Sequence, residues 1–304
     1  MTNSKLNFIF FGTPDVASET LEILKNGGYI PSLIVTAPDK PQGRKMIVTP
    51  PPVKVWAQKN NVPFIQPEKI TPSAFDTSPL LRGRTGRGHD DSIDLFVVVA
   101  YGKILPEAII NMPALGTINI HYSLLPKYRG ASPVESAILN GDTETGISIQ
   151  QMEFKMDTGP IIAEEKVAIG QDEKTPELRK RLIKIGGDFL VKTLPDIADK
   201  KITPRSQEEV AGGVARTVLA TYCKKMTKED GLIDLLEDGV KNYNKFRAYF
   251  TWPGTYFFEN NKRIIIKDAE LVNDPFDSAE GKHFKIKRVV PEGKKEISWE
   301  EFKK

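Results

Sequence analysis

One uninterrupted apolar run, Leu-Phe-Val-Val-Val-Ala-Tyr at residues 95–101, constrains the fold of this chain more than any other feature. Three successive valines favour a strand, and apolar residues without alternation describe one buried on both faces. Such a strand needs a layer of structure above it and another below. The run is far short of the roughly 20 residues that span a bilayer, so no membrane association is expected. Residues 7–11 repeat the pattern and stop at Gly12. They lead into Gly-Thr-Pro-Asp without a small-residue cleavage pattern, which reads as a buried strand rather than a signal peptide.

Helical segments between strands supply the layers. Thr13-Pro14-Asp15 is a helix start, Val16, Leu21 and Leu24 give the helix an apolar face, and Gly27-Gly28 stops it. Short strands are predicted at 32–36 and 62–65, with a helix at 53–59 between them. Then come a helix at 106–111, a strand at Thr117–His121, a helix at 133–140, and two strands at 146–152 and 161–169 expected to pair antiparallel. A long helix follows over 176–199. This alternation predicts an α/β class, with a Rossmann-like, mostly parallel sheet covered on both faces.

The pattern changes after Asp199, and 304 residues leave room for about two domains. Thr203-Pro204, a polar run and Gly212-Gly213 predict a linker over 200–215 between a domain of residues 1–199 and a smaller one of 216–304. The second begins with helices and ends in short β-segments at 255–259, 263–271 and 283–290. The lone cysteine, Cys223, excludes an internal disulfide and fits a reducing, cytoplasmic setting. No large apolar helix face is left over, so a monomer is expected.

A parallel sheet binds ligands beyond the carboxyl ends of its strands. The first such turn, Phe-Phe-Gly-Thr-Pro-Asp-Val-Ala, has one glycine where a dinucleotide fingerprint needs three, and Pro14 removes a backbone donor. Gly102-Lys103-Ile104 lacks the upstream glycine and the hydroxyl of a phosphate loop. Nicotinamide and nucleoside-triphosphate chemistry are therefore disfavoured. Asn119 and His121 sit two apart at the end of a strand and so share a face. An amide that donates to a forming oxyanion and an imidazole that accepts a proton suit acyl transfer to an amine. Asp157, in Met-Asp-Thr-Gly-Pro, is the candidate to hold the imidazole. A purely structural histidine with Asp157 as a turn former is the competing reading of these residues alone.

The surrounding residues decide between the two. Asn119-Ile-His121 runs directly into Ser-Leu-Leu-Pro and then Tyr128-Arg129-Gly130, and Asp157-Thr-Gly lies thirty-six residues beyond His121. This combination resembles the signature of the folate-dependent formyltransferases. Further matching pieces are Phe11-Gly-Thr-Pro-Asp15, Pro38-Asp-Lys-Pro-Gln-Gly-Arg44, Val98-Val-Ala-Tyr-Gly102, Lys228-Glu-Asp-Gly231 and Trp252-Pro-Gly254. They are most similar to the members that formylate tRNA. The resemblance implies 10-formyltetrahydrofolate as donor co-substrate and initiator methionyl-tRNA as acceptor. It implies Asn119 for the oxyanion, His121 for proton transfer and Asp157 to orient and charge-balance it. Ser123, Leu124, Leu125 and Pro126 would line the folate site. The chemistry requires no metal, and none is expected.

The formal charge of +3 hides local tracts of cations. Residues 38–54 hold Lys40, Arg44, Lys45 and Lys54 against Asp39, framed by prolines, and resemble the loop such enzymes insert at the acceptor stem. Lys40, Arg44 and Lys45 are the expected tRNA contacts. A second tract at 82–89, Arg-Gly-Arg-Thr-Gly-Arg-Gly-His, reads as a surface loop. A third, Lys282, His283, Lys285, Lys287, Arg288, Lys294 and Lys295, has only Glu292 opposing it in sequence and suggests a face that tracks an RNA backbone. The family's second domain resembles an OB-like β-barrel, shortened here because few residues remain between Leu271 and His283. Two alternatives stay open: formylation of an amino-sugar nucleotide or glycinamide ribonucleotide, and a non-catalytic folate- or RNA-binding protein.

Overall fold

The two apolar runs lie side by side at the middle of a seven-stranded sheet, every residue of both strands buried. The computed structural model describes residues 6–43, 45–76, 93–210, 220–273 and 282–304. The strands of the first part are β1 (Phe8–Gly12), β2 (Leu33–Val35), β3 (Lys40–Gln42), β4 (Ile47–Thr49), β5 (Phe64–Ile65), β6 (Leu95–Val99), β7 (Thr117–His121), β8 (Arg129–Gly130), β9 (Glu144–Gln151) and β10 (Ile161–Ala168). The main sheet has the order β10-β9-β7-β6-β1-β2-β5. Five of its strands are parallel neighbours, and β9 runs antiparallel to β7. The chain builds outward from β1 to β2 and β5, then returns to the other side with β6 and β7. Strand order therefore reverses between β1 and β6, where an α/β sheet presents its ligand crevice.

Local chemistry explains the first turn. A Cβ on Gly12 would lie 2.6 Å from the Ala17 side chain and 3.0 Å from the Val99 carbonyl oxygen. The glycine is there for close packing of strand on helix. The helix Asp15–Asn26 then buries Val16, Ala17, Leu21 and Leu24, one stripe as its spacing predicts. Lys103, in the turn whose sequence excludes a phosphate loop, donates through Nζ to the carbonyls of Pro67 and Glu68. The prolines of residues 38–54 conceal a hairpin: β3 pairs antiparallel with β4, and neither strand was predicted.

The described residues divide into two compact units. One draws on Met1–Arg129, Ile147–Glu165 and Leu182–Ala220, the other on Gly130–Gly146, Lys166–Arg181 and Thr221–Lys304. The second contains β11 (Tyr222–Cys223), β12 (Tyr256–Glu259), β13 (Lys262–Asn273), β14 (Lys282–Pro291) and β15 (Ile297–Ser298). Where a shortened OB-like barrel was expected, the described residues form an antiparallel sheet of order β12-β13-β14-β15. The helix Gly239–Ala248, capped by Asp238, puts Tyr243 and Phe246 into a core with Phe257, Ile264, Ile266 and Val289. No helix among the described residues is long and apolar enough to cross a membrane.

Candidate active site

β7 ends beside β6, and its period of two sets Asn119 and His121 on one face. His121 is buried and Asn119 half-buried. The imidazole Nε2 lies 2.9 Å from the carbonyl oxygen of Tyr128. A carbonyl only accepts, so in the neutral ring Nε2 carries the hydrogen and Nδ1 keeps the lone pair. Nδ1 faces Asp157 Oδ2 at 3.8 Å, an ion-pair rather than a hydrogen-bond separation. Asn119 Nδ2 donates to the carbonyl of Val98 at 3.1 Å, which leaves its second N–H for another acceptor. The structure thus brings together the three side chains that the sequence proposed.

Asp157 occupies the left-handed region, φ +52°, a conformation that aspartate tolerates better than most residues. Two residues on, glycine is obligatory, because a Cβ on Gly159 would lie 1.8 Å from the Gln151 carbonyl oxygen. The Thr-Gly after the aspartate is therefore a packing requirement of this turn. Sequence reasoning missed two side chains here. Gln207, in the segment read as a linker, donates through Nε2 to the carbonyls of both Asp157 and Gly159 at 2.9 Å. Its Oε1 accepts from Arg129 Nε and Nη2 at 3.0 and 2.6 Å. Gln150, directly across from Asn119 in the β7–β9 register, donates to Asp157 Oδ1 at 2.9 Å and to Asn119 Oδ1 at 3.3 Å. A signal for Gln150 existed: Ser148 and Gln150 are buried polar residues that alternate with Ile147 and Ile149 along β9.

The Ser-Leu-Leu-Pro turn is built from inside. Ser123 Oγ donates to the carbonyl of Lys127, and Leu125 N donates to Ser148 Oγ, which donates to the carbonyl of Ser123. Ser123, Leu125 and Pro126 are buried, and Leu124 is the half-exposed member. The neighbouring turn after β6 presents an exposed Ile104 and buries Tyr101. Burial pushes the Tyr101 phenol up to about 12, and its hydroxyl has no hydrogen-bond partner among the described residues. Apolar side chains and the Tyr101 hydroxyl thus occur on loops leaving adjacent strands, the mixture common in small-molecule sites. Among the described residues, no group of three or more His, Cys, Asp or Glu is placed to hold a metal ion.

Of the expected tRNA contacts, Lys40 stands exposed in β3 and Lys45 exposed in the β3–β4 turn. Arg44 and the tract at 82–89 lie outside the described residues. Lys54 pairs with Asp39 at 2.7 Å, and hydrogen bonds from Gln66 and Lys54 hold that carboxyl below its usual range. Met46, Ile47 and Val48 are exposed, making the tip of this hairpin apolar as well as basic. The C-terminal tract needs a correction. The β13–β14 register brings Glu270 opposite Lys285, 3.5 Å away, and Glu270 also pairs with Lys287, while Glu296 takes Arg288. Those three cations are partly neutralised, two of them by Glu270, an acid that linear distance concealed.

An amide and an imidazole at the carboxyl end of β7, with a carboxylate beside them, suit an acyl-transferring α/β enzyme, and the relatives of the chain specify the class. Residues 4–194 match the formyl transferase family and residues 225–288 its C-terminal domain. The methionyl-tRNA formyltransferase of Halalkalibacterium halodurans is 38% identical over 281 residues, 91% of this chain and 82% of that protein. The one from Geobacter sulfurreducens is 38% identical over 289 residues, 95% and 84% of the two chains. The chain belongs to the methionyl-tRNA formyltransferase family. Solved structures agree on the fold. An N-formyltransferase from Helicobacter canadensis, in complex with folinic acid and dTDP-3-aminofucose, gives a TM-score of 0.66 at 16% identity, covering 92% of this chain and 98% of its own. Methionyl-tRNA formyltransferase from Clostridium thermocellum gives 0.54 at 15% identity, covering 96% and 99%.

Proposed function

We propose that this chain transfers the formyl group of 10-formyltetrahydrofolate to the α-amino group of methionine on initiator tRNA. The juxtaposition of Asn119, His121 and Asp157 within a chain of this family carries the reading. The neutral amine attacks the formyl carbon, and the carbonyl π electrons move to oxygen. The second N–H of Asn119 donates to that oxyanion, a type of contact worth ~10²–10³ in rate. His121 Nδ1 accepts the proton lost by the attacking nitrogen, and Asp157 balances the imidazolium charge. When the bond from carbon to the folate nitrogen breaks, the imidazole returns the proton to that nitrogen, directly or through water. Tetrahydrofolate and the formylated aminoacyl-tRNA leave, and His121 is neutral again.

Ser123, Leu124, Leu125 and Pro126 form the folate-side wall in this reading, with Leu124 offering the accessible surface. Lys40, Arg44 and Lys45 hold the acceptor-stem phosphates, which set position and affinity. The catalytic domain is read as 1–199, joined through 200–215 to a tRNA-binding domain at 216–304. The enzyme acts in the cytoplasm, as a monomer.

Formylation assays with 10-formyltetrahydrofolate and either charged initiator tRNA or an amino-sugar nucleotide test the acceptor. Formylated methionyl-tRNA is the expected product. Formylation of the sugar nucleotide alone would refute the proposal, and absence of any transfer would favour a binding protein.

A further inference from the structure

We infer that Gln150 is a positioning residue for this reaction, coupling the Asn119 amide to the Asp157 carboxylate through its own side-chain NH₂. The inference rests on the oxyanion role proposed for Asn119. Gln150 is 2% exposed, and its Nε2 donates to Asn119 Oδ1 at 3.3 Å and to Asp157 Oδ1 at 2.9 Å. Both hydrogens of one amide nitrogen are thereby committed to the two groups that flank His121.

Polarity decides what this achieves. Carboxamide oxygen and nitrogen have nearly the same shape, so only hydrogen bonding fixes which end of Asn119 faces a substrate. Were Asn119 reversed, its NH₂ would meet the NH₂ of Gln150, and its oxygen would meet the carbonyl oxygen of Val98. Were Gln150 reversed, its oxygen would meet Asn119 Oδ1 and the Asp157 carboxylate. Either reversal sets acceptor against acceptor, so the chain Asp157–Gln150–Asn119 has one allowed sense. In that sense the spare N–H of Asn119 is presented as a donor, as a developing oxyanion requires. The carboxylate is held as well: Asp157 Oδ1 is occupied by Gln150, leaving Oδ2 as the oxygen turned to His121.

The other end of Gln150 supports the same conclusion. Its Oε1 is buried without a hydrogen-bond partner among the described residues. A buried orphan acceptor is unfavourable and seldom kept without reason. It persists here because the amide's nitrogen end answers two acceptors at once. The residue arrives by register, since Gln150 is the direct partner of Asn119 across the β7–β9 pair.

Gln150→Met preserves volume and removes both donors, while Gln150→Glu preserves shape and offers acceptors only. In steady-state formylation of methionyl-tRNA, Gln150→Met is expected to lower kcat by about 10–100-fold, as small misplacements of catalytic groups do. KM for either substrate should change less than about threefold and Tm little, with Gln150→Glu at least as impaired in kcat. Combined with Asn119→Ala, the loss from Gln150→Met should shrink, because the two residues act as a unit. Wild-type kcat in Gln150→Met, a loss confined to KM or Tm, or fully multiplicative losses in the double variant would each overturn the inference. Full activity in Asn119→Ala would overturn the oxyanion role and this inference with it. Full activity in Gln150→Met beside a crippled Asn119→Ala would overturn the inference alone.

Discussion

His121 Nδ1 and Asp157 Oδ2 stand 3.8 Å apart, close enough for charge to matter and too far for a direct hydrogen bond. The imidazole is oriented instead by the carbonyl of Tyr128 at its opposite nitrogen. In the proposed mechanism two functions that a single carboxylate often combines are therefore divided: a backbone oxygen fixes the ring, and the carboxylate is assigned the stabilisation of its protonated form. Asp157→Asn keeps the shape and removes the charge, so its effect should fall on turnover. We expect kcat for methionyl-tRNA formylation to drop ~10² or more, with folate affinity within a few-fold of wild type. Steady-state kinetics together with a folate-binding titration checks this, and wild-type turnover would reassign Asp157 to a structural turn.

His121→Ala removes the group that the proposed mechanism assigns to receive the amine proton. Turnover should fall by ~10² or more, while folate binding stays largely intact because the Ser-Leu-Leu-Pro turn is held by its own hydrogen bonds. Single-turnover formylation with saturating folate separates the two effects. Unimpaired turnover would remove His121 from the mechanism.

The parts of this site that could be read directly were those set by local periodicity. Asn119 and His121 share a face because a strand alternates, and β1 and β6 were evident because strands buried twice show no polar positions. Gln150 and Gln207 reach the site by other routes. Gln150 arrives through the antiparallel register of β7 with β9, and Gln207 through a return of the chain fifty residues after Asp157. Of the two, only Gln150 leaves a local trace, its alternation with Ser148 between the isoleucines of β9. Glu270 leaves none either: it faces Lys285 across a hairpin and changes the meaning of a basic tract. The β3–β4 hairpin was hidden for a different reason: Pro41 lies within β3, and proline argues against strand in any propensity reading.

Gly159→Ala probes the turn that carries Asp157. The added methyl would sit 1.8 Å from the Gln151 carbonyl oxygen, so the backbone must move before the residue fits. That motion would break the pair of hydrogen bonds from Gln207 and shift Asp157 relative to His121. We expect a loss of about 2 kcal/mol, which for a chain of this size is roughly 3 °C in Tm. Turnover should fall at temperatures where the variant is still folded. Thermal unfolding and activity measured on the same preparation check both effects, and a variant equal to wild type in both would mean that the turn has slack.

Arg44→Ala tests the basic hairpin. Its neighbours Lys40 and Lys45 are exposed, and Lys54 is already spent on Asp39, so the cations available to phosphate are few. Phosphate contacts contribute affinity that declines with salt, and each one lost lowers the salt slope by about one. The apparent KM for tRNA should therefore rise several-fold and depend less steeply on ionic strength, while KM for the folate donor stays unchanged. Measuring formylation at several salt concentrations separates this from a folding defect, which would alter both substrates together. If the tRNA response of Arg44→Ala matches wild type across that range, the hairpin is an ordinary solvated surface and tRNA must be held elsewhere.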